Sequence, residues 1–523
     1  MDELNTKSPG VYVNEVNAFP NAVTPVATAV PAFVGYTPQA LYGGKSYTNV
    51  PRKISSFAEF QAIYCLPNPP APAPPTKPYS PEYYLVKQNS EPAKGNYILI
   101  NGAFYAILPD PNTIYYLYNS VRIFYDNGGG DAYIVSVGSY GAPSKTPINP
   151  GDQIVNPNVK LNDLLNGLNL LKNELEPTLY IFPEATLLTV DNNGALMQSI
   201  LMQCMEIGTV VAIFDIIGGR DPDPVLYLND IKTFRENTGS QGLSYGAAYY
   251  PFVGTTMMQN YDIDYTNLFG GDIAQLAAII NAPENPNPEV AAVISAITSG
   301  SLSVTQYHDA LTNVSKTYGQ IIGHVLSDAN ILPPSGAMAG VIATIDNQQG
   351  VWHAPANTSI VGVASLPIRL SESQQANLNV DAVSGKSINA IRFFDGLGIL
   401  VWGARTLDGN SLDWKYLSVR RTVTFLEQSC KQAARAYVFQ PNNENIWDAV
   451  KLMISNFLNS VWNQGGLQGA TPGDAYAVAC GLGATMTADD LLLGFMKVTV
   501  KVAVIRPAEF IVITFQQQMA PSS

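Results

Sequence analysis

The stretch from Lys497 to Phe515 constrains the fold of this chain more than any other. Valines alternate with smaller or polar residues over 498–504, which is the period-2 pattern of a strand with one buried face. Pro507 interrupts the pattern because proline has no N–H to give to a strand ladder. Residues 509–515 then resume as a strand that is apolar on both faces. Such a terminal strand either completes a sheet of its own chain or adds to the sheet of a neighbouring subunit, and we expect the second.

The low charge content indicates that the protein is part of an assembly. Charged residues make up 13% of the 523 residues, about half of the usual quarter, whereas 46% are hydrophobic. A folded protein with so little charge hides much of its surface in permanent contacts. The net charge of −13 predicts that nucleic acid is not a partner.

The cysteines and the apolar runs indicate where the chain is made. Cys65, Cys204, Cys430 and Cys480 show neither paired nor metal-binding spacing, and we interpret them as free thiols of a reducing compartment. The N-terminus lacks the basic and apolar regions of a signal peptide. No apolar run approaches the roughly 18 residues that span a bilayer. We therefore expect synthesis in the cytoplasm and no insertion into a membrane.

Alternation of strands and helices predicts a mixed α/β fold with several domains. Residues 178–182 and 210–215 are typical of buried strands, and the helical pattern 187–205 lies between them. Two further helices are predicted, Leu417 to Ala436 and Asn445 to Trp462, whereas 332–407 looks rich in loops, with strands at 391–394 and 398–402. The expected divisions are an N-terminal arm (1–30), an α/β middle domain (31–65 and 119–254), a proline- and aromatic-rich insertion (66–118), a helical insertion (255–330), a core with the C-terminal domain (331–505) and a C-terminal arm (506–523).

No motif in the sequence supports catalysis. The Gly-Lys pairs at 44–45 and 385–386 lack the earlier glycine of a phosphate-binding loop, because Gln39 and Val380 stand there. The three histidines have no metal-binding spacing, and no GxSxG motif is present. We expect a structural protein that is not an enzyme and that holds neither metal nor cofactor. A cytosolic hydrolase with an unrecognised site is the alternative from another class.

Several stretches resemble the tail sheath proteins of contractile phage tails and related injection systems. The most specific is 332–357, LPPSGAMAGVIATIDNQQGVWHAPAN, which is similar to the proline–serine–glycine and Val-Trp-x-Ala-Pro-Ala-Asn pattern of that family. Further matches lie in order along the chain at 8–15, 124–135, 244–251, 399–407 and 506–515. The insertions at 66–118 and 255–330 show no such match, and we interpret them as variable decoration on the outer surface.

The resemblance implies a sheath-type C-terminal domain and a polymer that contracts. Family members form hexameric rings stacked around an inner tube protein, with a baseplate at one end and terminator or cap proteins at the other. Contraction drives the tube into a target, so the chain would lie in a phage tail-like particle that is released or anchored in its cell. The alternative is a filament or shell protein that assembles by strand exchange without contracting.

Two sets of residues are predicted to carry the assembly. The first set comprises strand-exchanging arms that cross to neighbouring subunits and pair near 498–504: Val11, Tyr12, Val13, Glu15, Glu509, Phe510, Ile511, Val512, Ile513 and Phe515. The second set is a basic stripe on the helix from Leu417, which the resemblance places toward the tube: Arg420, Arg421, Lys431 and Arg435.

Overall fold

The computed structural model describes residues 22–66, 77–92, 94–284, 286–381 and 383–512. The chain divides into a larger unit, Thr28–Arg420, and a smaller unit that joins Met1–Ala27 to Arg421–Ser523. The expected boundary at residue 331 therefore differs from the division in the structure, because residues 331–420 belong to the larger unit. No helix among the described residues is both long and apolar enough to cross a membrane.

The larger unit contains seventeen strands within its described residues. In chain order they are β1 (Pro31–Thr37), β2 (Leu41–Tyr42), β3 (Lys45–Ser46), β4 (Arg52–Ile54), β5 (Tyr83–Gln88), β6 (Tyr97–Ile100), β7 (Ala103–Pro109), β8 (Ala132–Ser139), β9 (Leu179–Ile181), β10 (Val211–Asp215), β11 (Gly246–Tyr250), β12 (Val253–Thr255), β13 (Ile331–Leu332), β14 (Thr358–Ser359), β15 (Val363–Ser365), β16 (Asn389–Phe394) and β17 (Gly398–Trp402).

Nine of these strands form one sheet around which the larger unit is built. Its order is β14-β17-β16-β11-β10-β9-β1-β8-β4, and the six strands from β16 to β8 run parallel. All residues of β1, β10 and β11 are buried, as expected for parallel strands that are covered on both faces. The prediction of an α/β fold is confirmed, and the sheet extends into the 331–420 region.

Eleven helices accompany these strands in the described part of the unit. They are α1 (Phe57–Tyr64), α2 (Leu117–Asp126), α3 (Leu161–Leu170), α4 (Val190–Ile207), α5 (Leu228–Asn237), α6 (Ile273–Ile280), α7 (Pro288–Ser299), α8 (Val304–Val314), α9 (Lys316–Ala329), α10 (Ser335–Gln349) and α11 (Glu372–Asn379). Local chemistry sets the ends of α7: Asn287 accepts from two backbone N–H groups, Pro288 opens the helix, and Gly300 closes it with a φ of 68°.

Both predicted insertions contribute side chains to the main apolar core, so the expectation that they are outer decoration is wrong for these residues. Strands β5, β6 and β7 form a separate three-stranded sheet, and Tyr83, Leu85 and Ile107 of that sheet are buried in the core. Helices α6 to α9 confirm the expected helices of 255–330, but Leu311, Tyr318 and Ile321 are fully buried and belong to the main apolar core. An amphipathic face packed this way is part of the scaffold.

The expectation that 332–407 consists mainly of loops is wrong at α10. This helix packs against α2, and two of its glycines permit the close approach. A Cβ at Gly336 would lie 2.6 Å from the carbonyl oxygen of Ser120, and one at Gly340 would lie 2.6 Å from that of Phe124. Those glycines weaken the helical signal in the sequence while making the packing possible.

The smaller unit contains two long helices and a two-stranded sheet. Its described elements are α12 (Leu417–Ala434), which begins in the larger unit, α13 (Glu444–Asn463), α14 (Pro472–Ala475), β18 (Tyr476–Cys480), α15 (Ala488–Leu492) and β19 (Val498–Val502). Phe425 of α12 meets Phe457 of α13 with ring centroids 5.9 Å apart. Both predicted helices are confirmed to within a few residues.

Candidate strand-exchange site

The sheet of the smaller unit is an antiparallel pair with one half-buried face. Tyr476 pairs with Val502, Val478 with Val500, and Cys480 with Val498, so these side chains share a face. Helix α13 packs against β18. Val500 is still 38% exposed, and the residues of the opposite face are mostly exposed. The predicted strand at 498–504 is thus confirmed, but its valines are only partly covered by this chain.

The outer edge of β19 presents a row of backbone groups that no strand of the described residues pairs with. The Ala503 N–H donates to the Ala475 carbonyl at 2.8 Å, and its carbonyl accepts from the Gln468 N–H at 2.7 Å. Backbone groups of successive strand residues point to opposite sides, so those of Val500, Val502 and Val504 point away from β18. Among the described residues no strand lies along that edge, because β18 and β19 form a two-stranded sheet. An edge of this kind is a template for another strand.

The segment that follows β19 leaves its apolar side chains uncovered. Residues 505–512 form neither helix nor strand within the chain. Phe510 is 72% exposed, Ile511 79% and Val512 89%. Three consecutive large apolar side chains in this state need a partner surface. Ile513 and Phe515, the remaining predicted arm residues, lie outside the described residues, and Glu509 is partly buried.

The base of the N-terminal segment lies against α12. The Val26 N–H donates to Ser429 Oγ at 3.2 Å, and Ser429 is fully buried. Val23 is also buried, at 7% exposure. The predicted arm residues Val11, Tyr12, Val13 and Glu15 lie outside the described residues, so their pairing stays a prediction.

The predicted basic stripe divides into a buried and an exposed pair. Arg420 and Arg421 are each only 5% exposed, so the expectation that they present a basic surface is wrong. The Arg420 guanidinium stacks on the rings of Trp414 and Tyr245, at 4.0 and 4.8 Å from their centroids. Lys431 and Arg435 are exposed, four residues apart at the end of the helix.

Sequence reasoning missed two parts of this site. Strand β18 is short and partly built of alanines, and its apolar alternation at Tyr476, Val478 and Cys480 was the only available signal. The anchoring role of Ser429 had no signal, because a serine within a helix is seldom a contact for a distant backbone N–H.

Two family models match consecutive parts of the chain. The model of the phage tail sheath protein central domain matches residues 275–407, and that of the phage tail sheath C-terminal domain matches residues 410–518. The first match includes most of the helical insertion. The expectation that 255–330 lies outside the family resemblance is therefore wrong.

Curated relatives match over shorter stretches. A tail sheath protein of Vibrio phage KVP40 is 28% identical over 165 residues, which cover 30% of this chain and 24% of that protein. One from Burkholderia phage BcepMu is 25% identical over 142 residues, which cover 26% of this chain and 29% of that protein. The matched region thus spans about a quarter of the length of these relatives.

Solved sheath structures match nearly end to end. The sheath complex of an extracellular contractile injection system, PVC, in its contracted state has a TM-score of 0.58 at 24% identity, with 98% of each chain covered. The contracted helical sheath of the anti-feeding prophage has a TM-score of 0.56 at 25% identity, covering 98% of this chain and 100% of that one.

Fold, domain matches and related structures define the class: the chain is similar to the sheath proteins of contractile tails and injection systems. Within that class, residues 275–407 match the central domain and residues 410–518 match the C-terminal domain of phage tail sheath proteins. Its structural relatives are components of sheath and baseplate assemblies of tail-like particles.

Proposed function

We propose that copies of this chain form stacked hexameric rings around an inner tube and contract to drive the tube into a target. A baseplate at one end and a terminator at the other would set the length of the sleeve. The subunit works without catalysis in this proposal, because contraction needs only a metastable packing that is released into a better one. It would act inside a tail-like particle after synthesis in the cytoplasm.

The observation that carries the proposal is that one molecule has both an open strand edge and an uncovered apolar segment. The edge of β19 offers the backbone groups of Val500, Val502 and Val504. Residues 510–512 offer apolar side chains that the described chain leaves exposed. In a homopolymer one copy can supply the strand that the next copy lacks. Strand addition of this kind gives affinity through main-chain hydrogen bonds.

The magnitudes suit a permanent link that tolerates movement. Burying Phe510, Ile511 and Val512 contributes roughly 5 kcal/mol in total at about 1.5–3 kcal/mol each, after allowing for partial cover. Each backbone hydrogen bond adds about 0.5–1.5 kcal/mol. These gains must offset the free-energy cost of association, so the net free energy of one link is moderate. The stability of the sleeve then comes from many such links. Subunit bodies can then rotate while the links persist.

Two truncations test strand exchange. Removing 1–18 or 506–523 leaves every described helix and strand in place, so each variant should fold but fail to polymerise. Removing only 516–523 serves as the control, because it retains residues 509–515 and should polymerise. Sedimentation measures assembly and circular dichroism measures folding. Normal sheaths from either long truncation would remove the basis for the proposal.

The grip on the tube is a separate part of the proposal and now rests on Lys431 and Arg435. Both side chains are exposed on a chain whose net charge is −13, so this basic pair is opposite in sign to the net charge of the protein. Exposed charge pairs contribute roughly 1 kcal/mol or less each, which suits a releasable contact that is repeated over many subunits. The complementary surface would be acidic groups on the tube protein.

A further inference from the structure

A cavity of about 640 Å³ opens at one edge of the nine-stranded sheet. Its wall includes residues that follow three neighbouring parallel strands: Thr186 after β9, Ile217 after β10 and Phe252 after β11. This is the carboxyl-terminal edge, where open α/β sheets bind ligands. The chain order reverses beside it, because β8 and β9 lie on opposite sides of β1.

The charged residues of the cavity carry an excess of negative charge. Arg220 forms an ion pair with Asp328 and also donates to the carbonyls of Asp328 and Ile331, so its charge is already used. The other charged residues in the wall are one lysine and four carboxylates, a net charge of −3: Lys94, Asp152, Asp221, Asp223 and Asp230. A cationic occupant would offset this excess.

Asp230 shows the need for a cation most clearly. Its carboxyl group lies over Gly218, where a Cβ would come within 2.3 Å of it. Within the described residues no donor forms a hydrogen bond or ion pair with Asp230, although the side chain is half-buried. Burial is the main reason that its pKa is raised to about 6. Lys94 favours the charged form of Asp230, whereas the charges of Asp223 and Asp221 oppose it, so three carboxylates of the wall share one lysine.

The rest of the wall indicates what kind of cation fits. Ile107, Leu108, Ile148 and Phe252 give the cavity an apolar side next to the carboxylates. A bare ion would gain nothing from that surface, whereas an aliphatic stem would be buried against it. The combination favours an organic amine.

We propose that this cavity binds an alkylammonium group, with the ammonium near Asp221 and Asp230 and the methylenes along Ile107 and Phe252. Two sources share this chemistry: a free diamine, and a lysine side chain of a second copy in the sheath. All residues of the site belong to the larger unit, and only the second source rests on the proposed assembly into a sheath.

The first experiment uses the unassembled full-length chain and 1,5-diaminopentane. Calorimetry should show binding, and the melting temperature should rise by about 2 °C at saturation. Asp221→Asn with Asp230→Asn should weaken binding at least 10-fold. Asp221→Asn alone, at an exposed position, should weaken it less and guards against misfolding of the double variant. Glu289→Gln, on the exposed start of α7, is the matched control and should bind like the parent.

The second experiment identifies the source. If assembled sheaths exclude labelled diamine that free subunits bind, a lysine of a second copy fills the cavity. If they bind one molecule per subunit, the ligand is a free amine, and both outcomes support the site. Absence of binding to the parent, equal binding by the double variant, or displacement of the diamine by equimolar MgCl₂ overturns the assignment.

Discussion

Replacing Val500 by proline probes the open edge of β19 without touching the pairing within the chain. Val500 directs its N–H and carbonyl away from β18, by the alternation that Ala503 establishes. Proline there removes one donor from the edge and places a ring where a neighbouring strand must approach. The side chain is 38% exposed, so its own packing loss is small.

The two effects of this substitution differ in size. Folding of the subunit should lose roughly 1 kcal/mol, because proline is tolerated at strand edges. Assembly should lose about half of the edge ladder, on the order of three hydrogen bonds or about 3 kcal/mol, which weakens the subunit contact about 100-fold. The melting temperature should therefore move by only about 1–2 °C, while polymerisation fails at concentrations where the parent assembles.

The assay is sedimentation across a concentration series, with circular dichroism as the check on folding. Val500→Ala is the matched control, because it shortens the same side chain and keeps the N–H, and it should assemble. Lys501→Pro should instead disrupt the hydrogen bonds between β18 and β19 and unfold the smaller unit, because the backbone N–H and carbonyl of Lys501 point toward β18. Parent-like assembly of Val500→Pro would refute the claim that a neighbouring strand uses this edge.

Three further changes test other parts of the account. Burial raises the pKa of Glu184 to about 8 from an ordinary value of 4.5, so the folded chain keeps this proton while the unfolded chain releases it between those values. Stability should therefore fall as pH rises from about 4.5 to 8, by an order of a few kcal/mol from this group, and Glu184→Gln should flatten urea midpoints across that window; an unchanged slope would contradict the assignment. Lys431→Glu with Arg435→Glu should give extended sheaths that are scarce or contract early in electron micrographs, and parent-like salt resistance would leave these residues as a solvated face. Tyr318→Ala, in the fully buried part of α9, should cost about 3–5 kcal/mol of folding free energy in denaturant titrations. A cost below about 1 kcal/mol would contradict the assignment of these helices to the core.

Periodicity alone predicted the elements with strong, regular patterns. Helices α12 and α13, the buried strands β9 and β10, and β19 all follow from spacing of apolar residues. Helix α10 was missed because Gly336 and Gly340 lower the helical signal, and only the close packing on α2 explains them. The sequence contains no direct record of such a contact.

Burial was the harder quantity to predict. The basic residues of α12 were placed on one surface, yet Arg420 is buried and stacks on the nearby Trp414 and on Tyr245 from a distant part of the chain. Helices α6 to α9 were interpreted as an added module because they are ordinary amphipathic helices. Their pattern of polar and apolar residues does not show whether the apolar face packs on the main core or within a separate surface module. The open edge of β19 likewise depended on knowing that β18 is its one strand neighbour among the described residues.

Contraction is tested most directly by electron microscopy. The particles to image are those that form when the chain is co-expressed with its tube and baseplate proteins. A contractile sheath should appear in two forms, long and thin before contraction and short and wide after it. We expect both forms, with the tube projecting from the short one. Particles of a single width and length under triggering conditions would contradict contraction and leave a static filament that is linked by strand exchange.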